Sequence, residues 1–228
     1  MAKKKLWLIL PVVLFAVLLA VIFRLNHTLE DSFVIPDHIV ICLDAGHGGD
    51  DPGAVNGDRQ EKDDNLAVVR AVRDALDAAG HDNLEVILTR EDDTALTLEE
   101  RVAFANDNDA TLFISVHRNS GGGQGVETWI SAEGKRPETQ LATLIQSKLA
   151  ATFITKDRGV KKGTAANPNA SYYVVGNTKM PACLIELGFM DNEWDNLYLD
   201  GNFDLYVQAI ADGILKMVKL QCMWFPII

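Results

Sequence analysis

The chain has 228 residues, 48% of them apolar and 23% charged, with a formal net charge of −11 and three cysteines. This composition excludes a disordered or collagen-like chain, and the acidic balance, with no cluster of Lys and Arg in the folded part, excludes nucleic acid as the main partner. Cys42, Cys183 and Cys222 are odd in number and lack any C-x-x-C spacing, which excludes a disulfide-stapled mini-domain.

At the N-terminus, Lys3-Lys4-Lys5 make residues 1–5 a basic stub, followed by Leu6 to Phe23 without a charge and closed by Arg24. Residues 6–24 predict a transmembrane signal anchor, because such a stretch just spans a hydrocarbon core of ~30 Å. A lipid bilayer is therefore an expected partner through this segment. The competing expectation is secretion after signal cleavage, although Leu18-Leu19-Ala20 makes a poor small-x-small site. The lysines hold the stub in the cytoplasm and place the rest outside it. Residues 25–37 read as a short tether. Without residues 1–24 the balance is 17 basic against 32 acidic residues, or −15.

Downstream, strand-like and helix-like patterns alternate, predicting one α/β domain over residues 38–218. Its expected core is a central twisted, mixed, mostly parallel sheet flanked by helices. His38 to Asp44 is an apolar run ended by Ala45-Gly46, hence a buried strand, and a Gly/Asp-rich loop follows over Gly46–Asp58. Glu61 to Ala79 reads as a helix with apolar pairs every four residues and Gly80 as its stop. Leu84–Thr89 is a second strand. Thr97-Leu98-Glu99-Glu100 is a capping-box pattern opening a helix to about Asn106. Thr111–Val116 and Val126–Ile130 are strands. Pro137–Phe153 is a helix with Pro in its first turn. Tyr172–Val175 and Ala182–Ile185 are further strands, and Phe203–Met217 is a closing helix. Residues 219–228 form an apolar tail that packs on the domain, on the bilayer or on a partner.

Three strands run directly into ionisable residues: Asp44-Ala45-Gly46-His47, Ser115-Val116-His117-Arg118-Asn119, and Ile185-Glu186. Ligands of open α/β sheets collect outside the carboxyl ends of strands, so these side chains are expected to converge. Glu61, opening the first helix, is placed to join them. Two histidines and a carboxylate are a typical set for catalytic zinc, which keeps a fourth position for water, and a further carboxylate serves as general base. The alternative is that the two histidines are structural; His27, His38 and His81 have no such context and read as solvent or boundary residues. A phosphate cradle is excluded by the missing G-K-[ST] and by Asp44, Asp50, Asp51 and Asp58. A serine hydrolase is excluded by the missing G-x-S-x-G. Arg90 and Arg101, beside carboxylates, read as structural ion-pair partners. Glu127 reads equally as a residue behind the metal set or a surface carboxylate. Trp129, Tyr172 and Tyr173 read as packing aromatics.

The run Leu43-Asp44-Ala45-Gly46-His47-Gly48-Gly49-Asp50-Asp51-Pro52-Gly53-Ala54, with Glu61-Lys62 and Asn65-Leu66, resembles the opening of the zinc-dependent N-acetylmuramoyl-L-alanine amidases. Leu88-Thr89-Arg90, Arg101 with Ala105-Asn106, Phe113 to Asn119, Gly125-Val126-Glu127-Thr128 and Pro181 to Phe189 follow in family order. The resemblance covers residues 38–218. It implies that His47, Glu61 and His117 bind Zn²⁺ and that Glu186 is the catalytic carboxylate. It further implies peptidoglycan as partner and hydrolysis of the amide joining N-acetylmuramic acid to L-alanine. Arg118 and Asn119, next to a ligand, are candidate substrate contacts. Ala45 stands where the family often has Pro, and Asp191 where Ser or Thr is common. The short Ile130–Pro137 segment lacks the regulatory helix of some members. The expected enzyme is a membrane-anchored monomer. Its rivals are a non-catalytic wall-binding or recruiting module of the same fold and a zinc amidohydrolase with another substrate.

Overall fold

A computed structural model describes residues 36–222 of the chain together with Leu18. The stub at 1–5, the expected anchor at 6–24 apart from Leu18, nearly all of the tether and residues 223–228 of the tail lie outside the described residues. Among the described residues no helix is long and apolar enough to cross a membrane.

The domain is built on a six-stranded sheet. Its strands are β1 (Ile39–Ala45), β4 (Leu84–Leu88), β5 (Leu112–Asn119), β6 (Val126–Ile130), β7 (Asp157–Lys162) and β8 (Ala182–Phe189), in the order β4-β1-β5-β8-β6-β7. Four of the five neighbouring pairs are parallel, and only β6 against β8 is antiparallel, so the sheet is mixed and mostly parallel as expected. A small hairpin, β2 (Val55–Asn56) with β3 (Arg59–Gln60), stands apart from it. Every residue of β1 and β8 is buried. Strands covered on both faces read as continuous apolar runs rather than alternating ones, which is why these two stood out in the sequence.

Helices α1 (Glu61–Ala78), α3 (Arg136–Ala150) and α6 (Phe203–Cys222) cover one face of the sheet, with α6 packed against both others. On the opposite face, α2 (Leu98–Asp107) and the short α4 (Tyr173–Asn177) enclose a core of Val40, Cys42, Val102, Phe113, Trp129, Val174 and Leu184. A last helix, α5 (Glu193–Gly201), packs on β8. The capping box of α2 is formed: Glu100 N donates to Thr97 Oγ1 at 3.1 Å, and Thr97 N to Glu100 Oε2 at 2.8 Å. Cys42 and Cys183 are buried free thiols. They sit on β1 and β8, the two neighbours of β5.

The structure corrects several elements. Tyr172–Val175 is not a strand: Gly176 N donates to Tyr172 O at 3.0 Å, closing the turn of α4. Tyr and Val favour strands by side-chain packing, and here packing on Val102 and Leu184 is satisfied by a helix. The strands expected to stop at Val116 and Ile185 continue to Asn119 and Phe189. His117 and Glu186 are therefore inside strands, not beyond them. β7, α5 and the β2–β3 hairpin are additional elements.

Candidate active site

The site forms where β1, β5 and β8 end and α1 begins. After β1 the chain turns at Gly46 and His47, and His47 takes a left-handed φ of 64° that a residue with a Cβ seldom adopts. Two buried arginines hold the turn. Arg101 donates to Ala45 O and to His47 O, each at 2.7 Å, and Arg90 donates to Ala45 O at 3.0 Å and Gly46 O at 3.1 Å. Arg101 pairs with Asp44 at 2.7 Å, across 57 residues of sequence, rather than with Glu99 or Glu100 beside it. Arg90 grips backbone carbonyls instead of a carboxylate. Burial alone would push the Asp44 carboxyl up, but Arg101 and the hydroxyls of Ser115 and Thr89 hold it below its ordinary value.

Glu61, the first residue of α1, receives both histidines. Its Oε1 lies 3.2 Å from His47 Nε2 and 3.0 Å from His117 Nδ1. Arg118 N donates to the same oxygen at 3.0 Å, and Ala54 N donates to Oε2 at 2.8 Å. Against its burial, these imidazoles hold the Glu61 carboxyl far below the usual carboxylate range. Burial would lower the His47 imidazole, but Glu61 and Asp51 raise it above its ordinary value.

The donor set fits a metal ion. One nitrogen from each imidazole and one Glu61 oxygen lie within 4.8 Å of one another. Two nitrogen donors and one carboxylate suit zinc. His47 is oriented from behind, its Nδ1 standing 2.8 Å from Asp51 Oδ2, the arrangement in which a carboxylate fixes a ligating imidazole. His117 is seated against the bare backbone of Gly46, where a Cβ would lie 2.1 Å from the ring. Sequence reasoning missed the roles of Asp51 and Gly46. The four-residue spacing from His47 was the available signal for Asp51.

Glu186 lies beside this set. In the sheet register it is level with His117 on one side and Glu127 on the other. Its Oε2 is buried and has no hydrogen-bond partner in the protein. Burial first, then the charges of Glu61 and Glu127, push its carboxyl well above the ordinary value. A cleft of about 540 Å³ opens over His47, Glu61, His117 and Glu186, walled by Leu98 and Tyr173 on one side and Asn119 and Ser120 on another.

The structure thus brings together His47, Glu61, His117 and Glu186, with Asn119 at the rim. It does not bring the Arg118 side chain. Successive strand residues face opposite ways, so Arg118 points to the α1 face, where its guanidinium is buried against Asp64 and Asn196. Glu127 is no surface carboxylate: it is 2% exposed and accepts from Asn119, Trp129 and Arg158.

Comparison with known proteins agrees with this geometry. Residues 41–216 match the N-acetylmuramoyl-L-alanine amidase family. The chain is 41% identical over 179 residues to the Bacillus subtilis protein YqiI, covering 77% of this chain and 81% of that one. It is 34% identical over 239 residues to the germination-specific N-acetylmuramoyl-L-alanine amidase of the same species, covering 95% and 94%. It spans only 35 to 65% of three longer curated amidases that it also matches. The fold superposes on the catalytic domain of the amidase CwlV from Bacillus (Paenibacillus) polymyxa var. colistinus with a TM-score of 0.71 and 34% identity, covering 79% of this chain and 98% of that one. The chain belongs to the N-acetylmuramoyl-L-alanine amidase family of enzymes.

Proposed function

We propose that the chain is a zinc-dependent peptidoglycan hydrolase that cuts the amide between the lactyl group of N-acetylmuramic acid and L-alanine. The observation that carries this reading is the meeting of His47 Nε2, His117 Nδ1 and Glu61 Oε1 beside the unpartnered Oε2 of Glu186. His47, Glu61 and His117 would hold the ion, and Glu186 would not. Bound there, zinc supplies a Lewis acid that polarises the carbonyl and makes water acidic near neutral pH. Glu186 takes a proton from the attacking water and returns it to the alanine nitrogen, which must leave as an amine. Asn119, whose Nδ2 donates to Glu127 at 2.9 Å and whose Oδ1 accepts from Ser120 N at 2.8 Å, is held at the cleft lining as the substrate contact. The complete four-residue set speaks against a non-catalytic module.

The same reading places a monomeric catalytic domain at residues 38–218 outside the cytoplasmic membrane, behind the stub at 1–5, the anchor at 6–24 and the tether at 25–37, with the apolar tail at 219–228. The uncharged run from Leu6 to Phe23 and the three lysines before it support this.

Digestion of purified wall by the full chain should release stem peptides with a free N-terminal alanine, identified by mass spectrometry. Products cut only between sugars or between peptides would overturn the assignment. Protease added outside spheroplasts should degrade the domain, and full protection would overturn the topology.

A further inference from the structure

The segment joining β5 to β6, Ser120-Gly121-Gly122-Gly123-Gln124-Gly125, follows directly from Asn119 and Ser120 at the cleft wall. Four of its six residues are glycine, and Gly121, Gly122 and Gly125 have φ of 111°, 80° and 106°. Such a chain loses more freedom on ordering than any other, so its shape depends on what grips it. A Cβ at Gly121 or Gly122 would meet nothing within 4 Å. The side-chain side of both residues therefore faces open space.

Asp191 grips the tip of this glycine arch. One oxygen of its exposed carboxylate, Oδ2, accepts from Gly121 N at 3.0 Å and from Gly122 N at 2.6 Å. Consecutive amides pointing into one concavity make a natural seat for an anion. The neighbouring bonds tie the same two segments together: Met190 N donates to Asn119 O at 2.7 Å, and Asn192 Nδ2 donates to Gly123 O at 3.0 Å. Behind the tip, Gly123 lies flat on the Phe189 ring, where a Cβ would come within 2.2 Å. The turn after β8, the strand of Glu186, thus holds the segment that begins where β5, the strand of His117, ends.

We propose that Asp191 is a positioning residue for substrate, fixing the Gly121–Gly122 arch that continues from the cleft wall so that Ser120 and Asn119 meet the muramoyl peptide in one arrangement. This rests on the amidase reading above. The side-chain hydrogen bonds of Asp191 go to the arch, and none goes to the four site residues.

The test compares the full chain with Asp191→Ala and Asp191→Asn. Three quantities are measured: turnover of a soluble N-acetylmuramoyl peptide, zinc content, and hydrogen exchange of the peptide spanning residues 119–125. Losing two charge-assisted bonds should speed exchange at the arch by about tenfold or more in Asp191→Ala. KM should rise by about five- to tenfold, with kcat within about twofold and zinc content unchanged. Asp191→Asn, whose amide oxygen accepts the same two N–H groups, should restore KM and slow exchange. Unchanged exchange in Asp191→Ala, or faster exchange with an unchanged KM, would overturn the proposal. So would an equal loss in both variants. A wild-type chain that releases no stem peptide would instead overturn the amidase reading, and the exchange comparison would still decide whether Asp191 holds the arch.

Discussion

Glu127 and Glu186 face each other across the antiparallel β6–β8 register, two buried carboxylates in opposite conditions. Glu127 accepts from Asn119 Nδ2 at 2.9 Å, Trp129 Nε1 at 3.2 Å and Arg158 Nε at 2.7 Å. Glu186 keeps one oxygen without any partner. Several donors fix Glu127 in place, whereas burial without donors makes the Glu186 carboxyl bind a proton more readily. In the proposed reaction the pair divides support from chemistry.

The first prediction follows from that division. Glu186→Gln keeps the shape and removes the basic oxygen, so turnover on muramoyl peptides should fall by ~10²–10⁴, the range of general acid–base catalysis. Zinc content should be unchanged. Glu61→Gln should instead lose zinc, because it replaces a charged oxygen donor with a neutral one. Metal analysis and turnover on the same preparations compare the two, and reversed outcomes would exchange the roles.

The second concerns Gly46. A methyl group there would overlap the His117 ring, with a closest approach of 2.1 Å. Gly46→Ala should therefore turn the imidazole away and weaken zinc binding by about 10–100-fold, as other losses of ligand orientation do. Circular dichroism should report an intact fold.

The third concerns Asp44, whose pair with Arg101 is almost wholly buried. Asp44→Asn leaves the guanidinium without its counter-charge and should cost about 3–5 kcal/mol at neutral pH. The Asp44 carboxyl titrates below its unfolded value of 3.8 in the native chain. Its stabilisation is thus fully present above that value and is lost as pH falls through the lower native one. Urea unfolding at a series of pH values should show the gap between wild type and variant steady from neutral pH down to about 5 and closing below about 4.

The fourth separates neighbours on one strand. Arg118→Lys removes a planar fork from Asp64 and Asn196 and should lower stability by about 1–3 kcal/mol with KM unmoved. Asn119→Ala, at the cleft wall, should raise KM, and it also lowers stability by about 1–3 kcal/mol because buried Glu127 loses a donor. Steady-state kinetics distinguishes them, and denaturant midpoints measure both losses.

The site was legible in the sequence wherever an apolar run met an ionisable residue, as at His47, His117 and Glu186. Val126–Ile130 and the capping box at Thr97 were likewise visible, because local pattern and tertiary packing agree there. Arg118 was misplaced although strand alternation was enough to turn it away from His117. β7, Asp157–Lys162, was missed because an edge strand of partly exposed, mostly charged residues carries no apolar pattern. α5 was missed for a different reason. Its start depends on Asn192, whose side chain accepts from Trp194 N and Asp195 N, and no strong apolar face follows it. The support for the His47 turn came from Arg90 and Arg101, whose partners are mostly backbone carbonyls and so leave no trace in residue types.

The two buried thiols have a practical consequence. Cys42 and Cys183 lie two strand spacings apart, about 9.6 Å, beyond the reach of a disulfide. Burial also keeps both protonated and unreactive. An oxidising milieu therefore finds nothing to attack in the folded sheet. In a Cys222→Ser background, alkylation at either position should occur only when the middle of the sheet opens. The chain thus carries its own clock for unfolding, read by mass as each reagent molecule is added.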